Sequence, residues 1–275
     1  MTDPLIGPAA PPDLHVMTFN VRRRIDAPLV RRADRWAARQ PRLAALLAAE
    51  QPTLVGAQEA LPDQAAAIRA ALGANYRFVG RGRRADGRGE GCPLFYDATR
   101  LELLEHSQEA LSTTPARAGS RSWGAPLPRV LVRATLRDRA TGACFVAVNT
   151  HLDPFSPWAR IRSAHRIRRI VAGGALPAIV TGDFNAAPGS AAVRELLAGG
   201  ALRDTWPAAE ERLTPAWGTF ADYRRPRSGG ARIDIVAVTP DVQVVAAGIN
   251  ARPIEGGWPS DHLPVQTRVR IGVMS

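Results

Sequence analysis

The chain has 275 residues, of which 45% are hydrophobic, and a formal net charge of +11. That length and apolar content suffice for a substantial core in one large domain or two small ones, which excludes a chain too polar to fold. No apolar run is long enough to cross a bilayer as a helix.

The pI of about 11.2 favours a polyanionic partner. Yet every basic residue is arginine and alanine is abundant, a pattern that GC-rich coding also produces, so charge alone does not single out nucleic acid. The clusters Arg22-Arg23-Arg24, residues 81–88 and Arg224-Arg225-Pro226-Arg227 attract phosphate whatever their origin. Cys92 and Cys144 both lie in strand-like apolar stretches and are expected to be buried free thiols. Residues 1–12 carry proline and glycine but no basic stretch followed by an apolar one. They are expected to form a flexible leader ahead of a single domain over 13–275, with a cytoplasmic location.

In chain order, Leu14 to Asn20 predicts a first strand. Apolar spacing at Leu43, Leu46 and Leu47 predicts a helix over 39–50. Thr53 to Gln58 is a second strand, Asp63 to Leu72 a helix stopped by Gly73, and Tyr76 to Val79 a third strand. A Gly/Arg-rich loop, 80–91, follows. Pro93–Tyr96 and Leu101–His106 read as a hairpin pair. After a polar loop over 112–128, Arg129–Leu136 and Cys144–Thr150 form a second hairpin turning at Ala140-Thr141-Gly142. Ser156 to Val171 is a basic helix with Ile161, Ile167 and Ile170 inward. The apolar run Pro177-Ala178-Ile179-Val180 is a buried strand, and Gly182 lets the chain turn after it. Ser190 to Leu197 is a helix, and 232–238, 242–249 and 263–271 are the last strands. Hairpins mixed with helical crossovers predict α/β architecture with mixed sheets.

Polar residues fall where these strands end. Asn20 ends the first strand and Glu59 follows the second. His151 and Asp153 follow Phe145–Asn149. Asp183 and Asn185 end the central strand, where extended geometry puts residues i and i+2 on one face and turns Phe184 back into the core. Asp234 sits within a core-like strand, and Asp261-His262 precede the last one. Taken singly, each is also an ordinary cap, turn or ion-paired residue; Asp234, for example, has Arg232 nearby. Together they are costly to bury unless paired or metal-bound. Carboxylates and amides suit hard cations such as Mg²⁺, Mn²⁺ or Ca²⁺. Histidines beside carboxylates suit proton transfer. With arginines, the set suits hydrolysis of a phosphate ester by water.

The ordered motifs Phe19-Asn20, Gln58-Glu59, Asn149-Thr150-His151-Leu152-Asp153, Gly182-Asp183-Phe184-Asn185, Arg232-Ile233-Asp234 and Ser260-Asp261-His262-Leu263-Pro264-Val265 resemble those of the endonuclease/exonuclease/phosphatase superfamily. The likeness runs from about His15 to Arg270 and is nearest to short bacterial members. It implies a deoxyribonuclease I-like four-layer α/β/β/α sandwich of two mixed sheets, with the site at one end between the sheets. It further implies a divalent-metal-dependent phosphodiesterase, nuclease or phosphatase. On that resemblance Glu59 is the main metal ligand, with Asn20 and Asp261 close to the metal or its waters. Asp183 activates water, Asn185 holds the scissile phosphate, and His262 paired with Asp234 is the catalytic histidine. His151 is a second phosphate-facing histidine supported by Glu90, and Arg129 and Asp153 lie on the substrate side.

The chain departs from the pattern at Arg22, where some family nucleases carry an acid, which favours one-metal chemistry. It departs again at Ala221-Asp222, where many short bacterial members carry His-Gly. Expected substrates are nucleic acid, a phosphorylated small molecule or a lipid headgroup, the last with Phe155 and Trp158 as an apolar lip. The expected form is a monomer. The alternative is a non-catalytic module that binds a phosphorylated ligand or a partner on the same fold.

Overall fold

The computed structural model describes residues 3–25, 27 and 29–272. The strands are β1 (Asp13–Asn20), β2 (Leu54–Gln58), β3 (Tyr76–Val79), β4 (Leu94–Asp97), β5 (Leu101–Ala110), β6 (Val130–Asp138), β7 (Cys144–His151), β8 (Ala178–Asp183), β9 (Arg203–Asp204), β10 (Glu211–Arg212), β11 (Asp234–Val238), β12 (Val242–Ile249) and β13 (Val265–Ile271). The α-helices are α1 (Trp36–Glu50), α2 (Pro62–Leu72), α3 (Pro157–Ala172), α4 (Ala191–Leu197) and the single turn α5 (Thr205–Ala208). One sheet has the order β10-β12-β13-β1-β2-β4-β3 and the other β5-β6-β7-β8-β11-β9. At the centre of each, two strands run parallel: β1 with β2, and β7 with β8. Parallel neighbours need a crossover, and α1 and α3 supply it.

Strand alternation explains the layering. On β1, Met17 and Phe19 join Leu43, Leu46, Leu47 and Ile68 of α1 and α2 in one apolar cluster, while Leu14 and Val16 join a second cluster between the sheets. On β8, Val180 faces Ala164, Ile167, Val193 and Leu196 of α3 and α4, and Ile179 faces the other sheet. Three cores separate four layers, as the family resemblance implies. Phe19, Phe95, Phe145 and Phe184 are fully buried; each contributes roughly 1.5–3 kcal/mol of transfer free energy.

The inward-facing positions change character along the strands. At one end they are Leu14, Val16, Leu54, Phe145, Ala147, Ile179 and Val236. In the middle comes a belt of buried polar groups. Gln58 Nε2 donates to Thr18 Oγ1 (3.0 Å) and Asn149 Oδ1 (2.7 Å), and Thr181 Oγ1 donates to Asn149 Oδ1 (3.1 Å). Asn149 Nδ2 donates to the carbonyls of Ala57 and Pro93. Gly56 sits within this belt because nothing larger fits: a Cβ there would lie 2.0 Å from Thr181 Oγ1 and 2.7 Å from Asn149 Oδ1. Beyond the belt, the same strands end in Asn20, His151, Asp183 and Asp234.

Four local expectations change. Pro93–Tyr96 and Leu101–His106 do not pair; β4 joins β2 and β3, whereas β5 joins β6 in the other sheet. The three residues between them are the crossing point between sheets, and the hairpin reading fails because strand partners are set by distant pairing. Gly182 is no turn residue. It lies inside β8, and its missing side chain admits the Thr150 carbonyl, 2.8 Å from where a Cβ would stand. Cys144 is free as expected but half-buried, not buried like Cys92. The alternative pairing of Asp234 with Arg232 does not form: Asp234 meets His262, as the resemblance implies, and Arg232 turns to Asp204 (2.5 Å). Of the expected leader, residues 1 and 2 lie outside the described residues. The amides of Leu5, Ile6 and Gly7 donate to the buried Glu50 carboxylate at 2.7, 3.2 and 3.1 Å.

Candidate active site

A cleft of about 570 Å³ opens at the polar end of the inter-sheet layer. Its floor carries Glu59, His151, Asp183, Asn185, Asp261 and His262; Arg22, Arg23, Arg83 and Arg129 stand around it, and Leu127, Phe155 and Phe220 form apolar parts of the wall. The sequence-predicted residues therefore converge from both sheets.

Asn20 joins the two halves. Fully buried at the end of β1, its Nδ2 donates to Glu59 Oε1 (3.1 Å) and Asp183 Oδ2 (2.9 Å). Its Oδ1 accepts the Arg22 amide (3.0 Å). Glu59 follows β2 with a left-handed backbone, φ 61°, and its Oε2 accepts the Arg23 amide at 3.0 Å. Burial opposes its ionisation, but His151, the Arg23 amide and Asn20 outweigh that and hold it at about 2. Glu59 is thus an anion facing the cleft.

His262 lies between two acids. Its Nδ1 is 2.9 Å from Asp234 Oδ2, and its Nε2 is 3.8 Å from Asp183 Oδ2. Burial disfavours the imidazolium, yet Asp234 and Asp183 more than offset this and raise the group to about 10. Asp183 is pushed up, first by burial and then by Asp234. His151 Nε2 stands 3.4 Å from Asp183 Oδ2. Burial, with Arg129 and His262 nearby, lowers it to about 4, so one histidine is neutral and the other charged near pH 7. Such a split in neighbouring groups suits acid–base work.

Asn185 departs from the simple strand expectation. Its amide donates to Asp183 Oδ1 (2.8 Å), which draws the backbone into the left-handed region at φ 48°, a conformation asparagine tolerates. It still lines the cleft, with Nδ2 on the Leu152 carbonyl. Glu90 is held by Arg83 (2.9 Å) and Arg23 (3.3 Å), and burial raises its pKa. Arg129 reaches Asp153 Oδ2 (3.4 Å). Asp153 is buried behind it and accepts the amides of Phe155 and Ser156; it positions Arg129 and the start of α3. Burial raises the pKa of Asp261.

Sequence reasoning missed two arginines' roles. Arg22, also left-handed at φ 55°, reaches Asp34 (3.3 Å), Asp261 (3.5 Å) and Glu59 (4.0 Å). Burial works against its charge, but those acids raise its pKa overall. Arg39 is fully buried in α1 beneath the site. It donates to the carbonyls of Asp34 (3.1 Å), Val21 (2.8 Å), Pro259 (3.3 Å), Arg22 (3.0 Å) and Arg23 (3.3 Å). The signal was present: Arg39, Leu43 and Leu46 share the i, i+4, i+7 stripe of an otherwise apolar helix face.

Two donor sets can receive a cation. Asp183, Asp234 and His262 offer ligand atoms within 4.8 Å of one another, but the His262 Nδ1 is already engaged by Asp234. Glu59 and Asp261 are both reached by one guanidinium, so the space between them suits positive charge, and their oxygens suit a hard ion. The Asn20 Oδ1, spent on the Arg22 amide, belongs beside that ion more than on it. Among the described residues, no helix is long and apolar enough to cross a membrane.

Two sheets face to face, with a His–Asp pair, carboxylates and arginines gathered at one end, are the arrangement of a family of phosphoester hydrolases. The chain belongs to the Endonuclease/Exonuclease/phosphatase family, whose sequence profile matches residues 17–262. It is similar to a family protein from Bacteroides vulgatus, with 33% identity and a TM-score of 0.87 over 94% of this chain and 99% of that one. A mannosyl-6-phosphatase from Bacteroides thetaiotaomicron is 28% identical, with a TM-score of 0.86 over 93% and 99% of the two chains. Nocturnin of Rattus norvegicus is 30% identical over 105 residues, which span 36% of this chain and only 22% of that protein.

Proposed function

We propose that the chain hydrolyses phosphate esters with a divalent cation, Mg²⁺ before Mn²⁺ or Ca²⁺. The observation that carries this is the line Asp234–His262–Asp183–Asn20–Glu59, which presents a charged histidine, a proton acceptor and an anionic metal ligand to one cleft. Glu59 and Asp261, with Asn20 beside them, would hold the ion, which when bound supplies Lewis acidity to a phosphate oxygen. Imidazolium His262, fixed by Asp234, donates a hydrogen bond to the phosphate and stabilises charge as it develops. Asp183, oriented by the Asn20 amide, accepts the proton of the attacking water. Neutral His151 and Arg129 steady the remaining oxygens. Asn185 turns its amide from the Leu152 carbonyl to the scissile phosphate.

Phosphorylated small molecules are the favoured substrate class. The mannosyl-6-phosphatase, similar over nearly both whole chains, supports this, as does a cleft walled by loops within one domain. The test is a panel of phosphomonoesters and diesters with Mg²⁺ or Mn²⁺, with and without EDTA. Turnover should require the metal, favour monoesters, and fall by about 10²–10⁴ in Asp183→Asn. A folded protein that turns over none of the panel with metal present would sink the reading and restore the non-catalytic alternative.

A further inference from the structure

A second cavity of about 450 Å³ adjoins the first and shares Phe220, Asp222 and Ile233 with it. It is built on a pinched hairpin, residues 217–231. Trp217 bridges to Ser228, and the Gly218 amide donates to the Arg227 carbonyl at 3.0 Å. Gly218 and Gly230 lie backbone to backbone: a Cβ on either would stand within 3.0 Å of the other's Cα. A side chain at either position would push the two backbones apart, so the hairpin's close approach depends on both glycines.

The hairpin is tied to the catalytic groups by its backbone. The Leu263 amide donates to the Thr219 carbonyl (2.7 Å), and the amides of Ala221 and Asp222 donate to the Asp261 carbonyl (2.9 and 3.0 Å). Thr219 Oγ1 accepts the amides of Ile233 and Asp234. Phe220 stands edge-on to His262, with ring centroids 5.1 Å apart. Whatever sits on this hairpin is therefore held in fixed relation to His262 and Asp234.

Its lining is cationic. Arg224, Arg225 and Arg227 all face the second cavity. The one acid on its wall, Asp222, is taken up by Arg31 at 2.5 Å, with Arg224 at 3.7 Å. Among the described residues, Arg225 and Arg227 have no carboxylate within ion-pair distance. Two unpaired guanidinium forks, one aromatic wall and a direct opening onto a phosphate-hydrolysing cleft match a second phosphate.

We propose that the 217–231 hairpin is a second anion subsite, which holds a further phosphate group of the substrate while the scissile phosphate lies at His151, Asp183 and His262. This rests on the reading of the cleft as a phosphate-ester site. The further phosphate can belong to a small-molecule bisphosphate or to the next linkage of a nucleic-acid strand; the chemistry recognised is the same.

The test is titration calorimetry in Mg²⁺ on the Asp183→Asn protein, so that ligand is not consumed. A nucleoside bisphosphate, the matching monophosphate and a short single-stranded oligonucleotide with a terminal phosphate are compared, with and without Arg225→Ala/Arg227→Ala. The bisphosphate should bind about tenfold tighter than the monophosphate, and the double substitution should erase that advantage while leaving the monophosphate within about twofold. If the oligonucleotide shows the same advantage and loss, the subsite also follows a strand; if only the bisphosphate does, the source is a small molecule. Equal affinity for the mono- and bisphosphate, or an equal loss for all ligands in the double variant, overturns the proposal. Hydrolysis of a simple monoester by the otherwise unaltered enzyme is read separately. Its absence beside an intact bisphosphate preference would sink the hydrolase reading and leave the subsite standing.

Discussion

Arg39 offers the sharpest quantitative prediction. Methionine at this position keeps much of the apolar stem and removes every donor. Five carbonyls then lose a partner, and the bonds to three of them, Asp34, Val21 and Pro259, are buried. An orphaned buried acceptor costs about 1–3 kcal/mol, so the gross loss is about 3–9 kcal/mol. Against this, folding no longer has to strip water from a guanidinium, which returns several kcal/mol. The midpoint of that loss, about 6 kcal/mol, less about 3 kcal/mol for the guanidinium leaves a net destabilisation of about 3 kcal/mol, a large part of the roughly 5–15 kcal/mol that a domain has. Urea unfolding followed by tryptophan fluorescence reads it directly. Activity should fall further than the folded fraction does, because the freed carbonyls flank Asn20 on one side and Ser260-Asp261-His262 on the other. Arg39→Lys should recover part of both losses, since an ammonium can serve some of the carbonyls but not all five. Stability within about 1 kcal/mol of the parent together with full turnover in Arg39→Met would refute the view that this side chain clamps the site loops.

The other predictions concern groups named above. Gly56→Ala, forced against Thr181 and Asn149, should cost about 1–3 kcal/mol or more in urea unfolding, and Thr181→Ala in the same chain should recover part of it; a neutral Gly56→Ala would mean the sheets can separate. Asp234→Asn should let His262 fall from about 10 and reduce turnover at neutral pH by about 10²–10⁴, a result that an unchanged pH–rate profile would contradict. The raised His262 pKa contributes stability that is complete below 6.5 and lost as pH rises through about 10, so the same variant should lack that alkaline loss. His151 works in the opposite direction. Lowered from 6.5 to about 4, it keeps the metal-free fold from taking up a proton that the unfolded chain accepts, so stability should fall as pH drops from 6.5 to about 4 and then level off. In His151→Gln that part of the pH–stability curve should flatten; an unaltered slope would count against burial as the cause.

Much of the site was legible because it obeys strand geometry. Asn20, His151, Asp183 and Asp234 sit at the ends of inward-facing alternations, and a charged residue there contrasts with the apolar residues before it. Glu59 and His262 lie one and three residues outside their strands; their place beside strand ends marks them, and the motif order gives them roles. Less legible were features set by partners far away in sequence. Nothing in residues 93–106 shows that the chain changes sheets at 98–100, since that depends on β2 and β6. The need for glycine at 56 and 182 arises from Thr181 and the Thr150 carbonyl, which only assembly brings near. Arg22 reads as a surface cation until Asp34, Glu59 and Asp261 gather around it. Glu90 was expected at His151, and its carboxylate instead meets two arginines, because the 80–91 loop folds back on itself through the Arg83 amide and Glu90 carbonyl.

The polar belt across the middle of the sandwich has a consequence for how such a protein can change. Thr18, Gln58, Asn149 and Thr181 lock the sheets together by bonds that tolerate no sliding, just beneath the cleft. Register between the sheets is therefore set independently of the loops above. A loop such as 112–128 can lengthen, shorten or change charge while His262 and Asp183 keep their spacing, and the 217–231 hairpin can change charge at its tip. The belt works as a bulkhead: one side carries the weight of the fold, and the other is free to be refitted for a new leaving group.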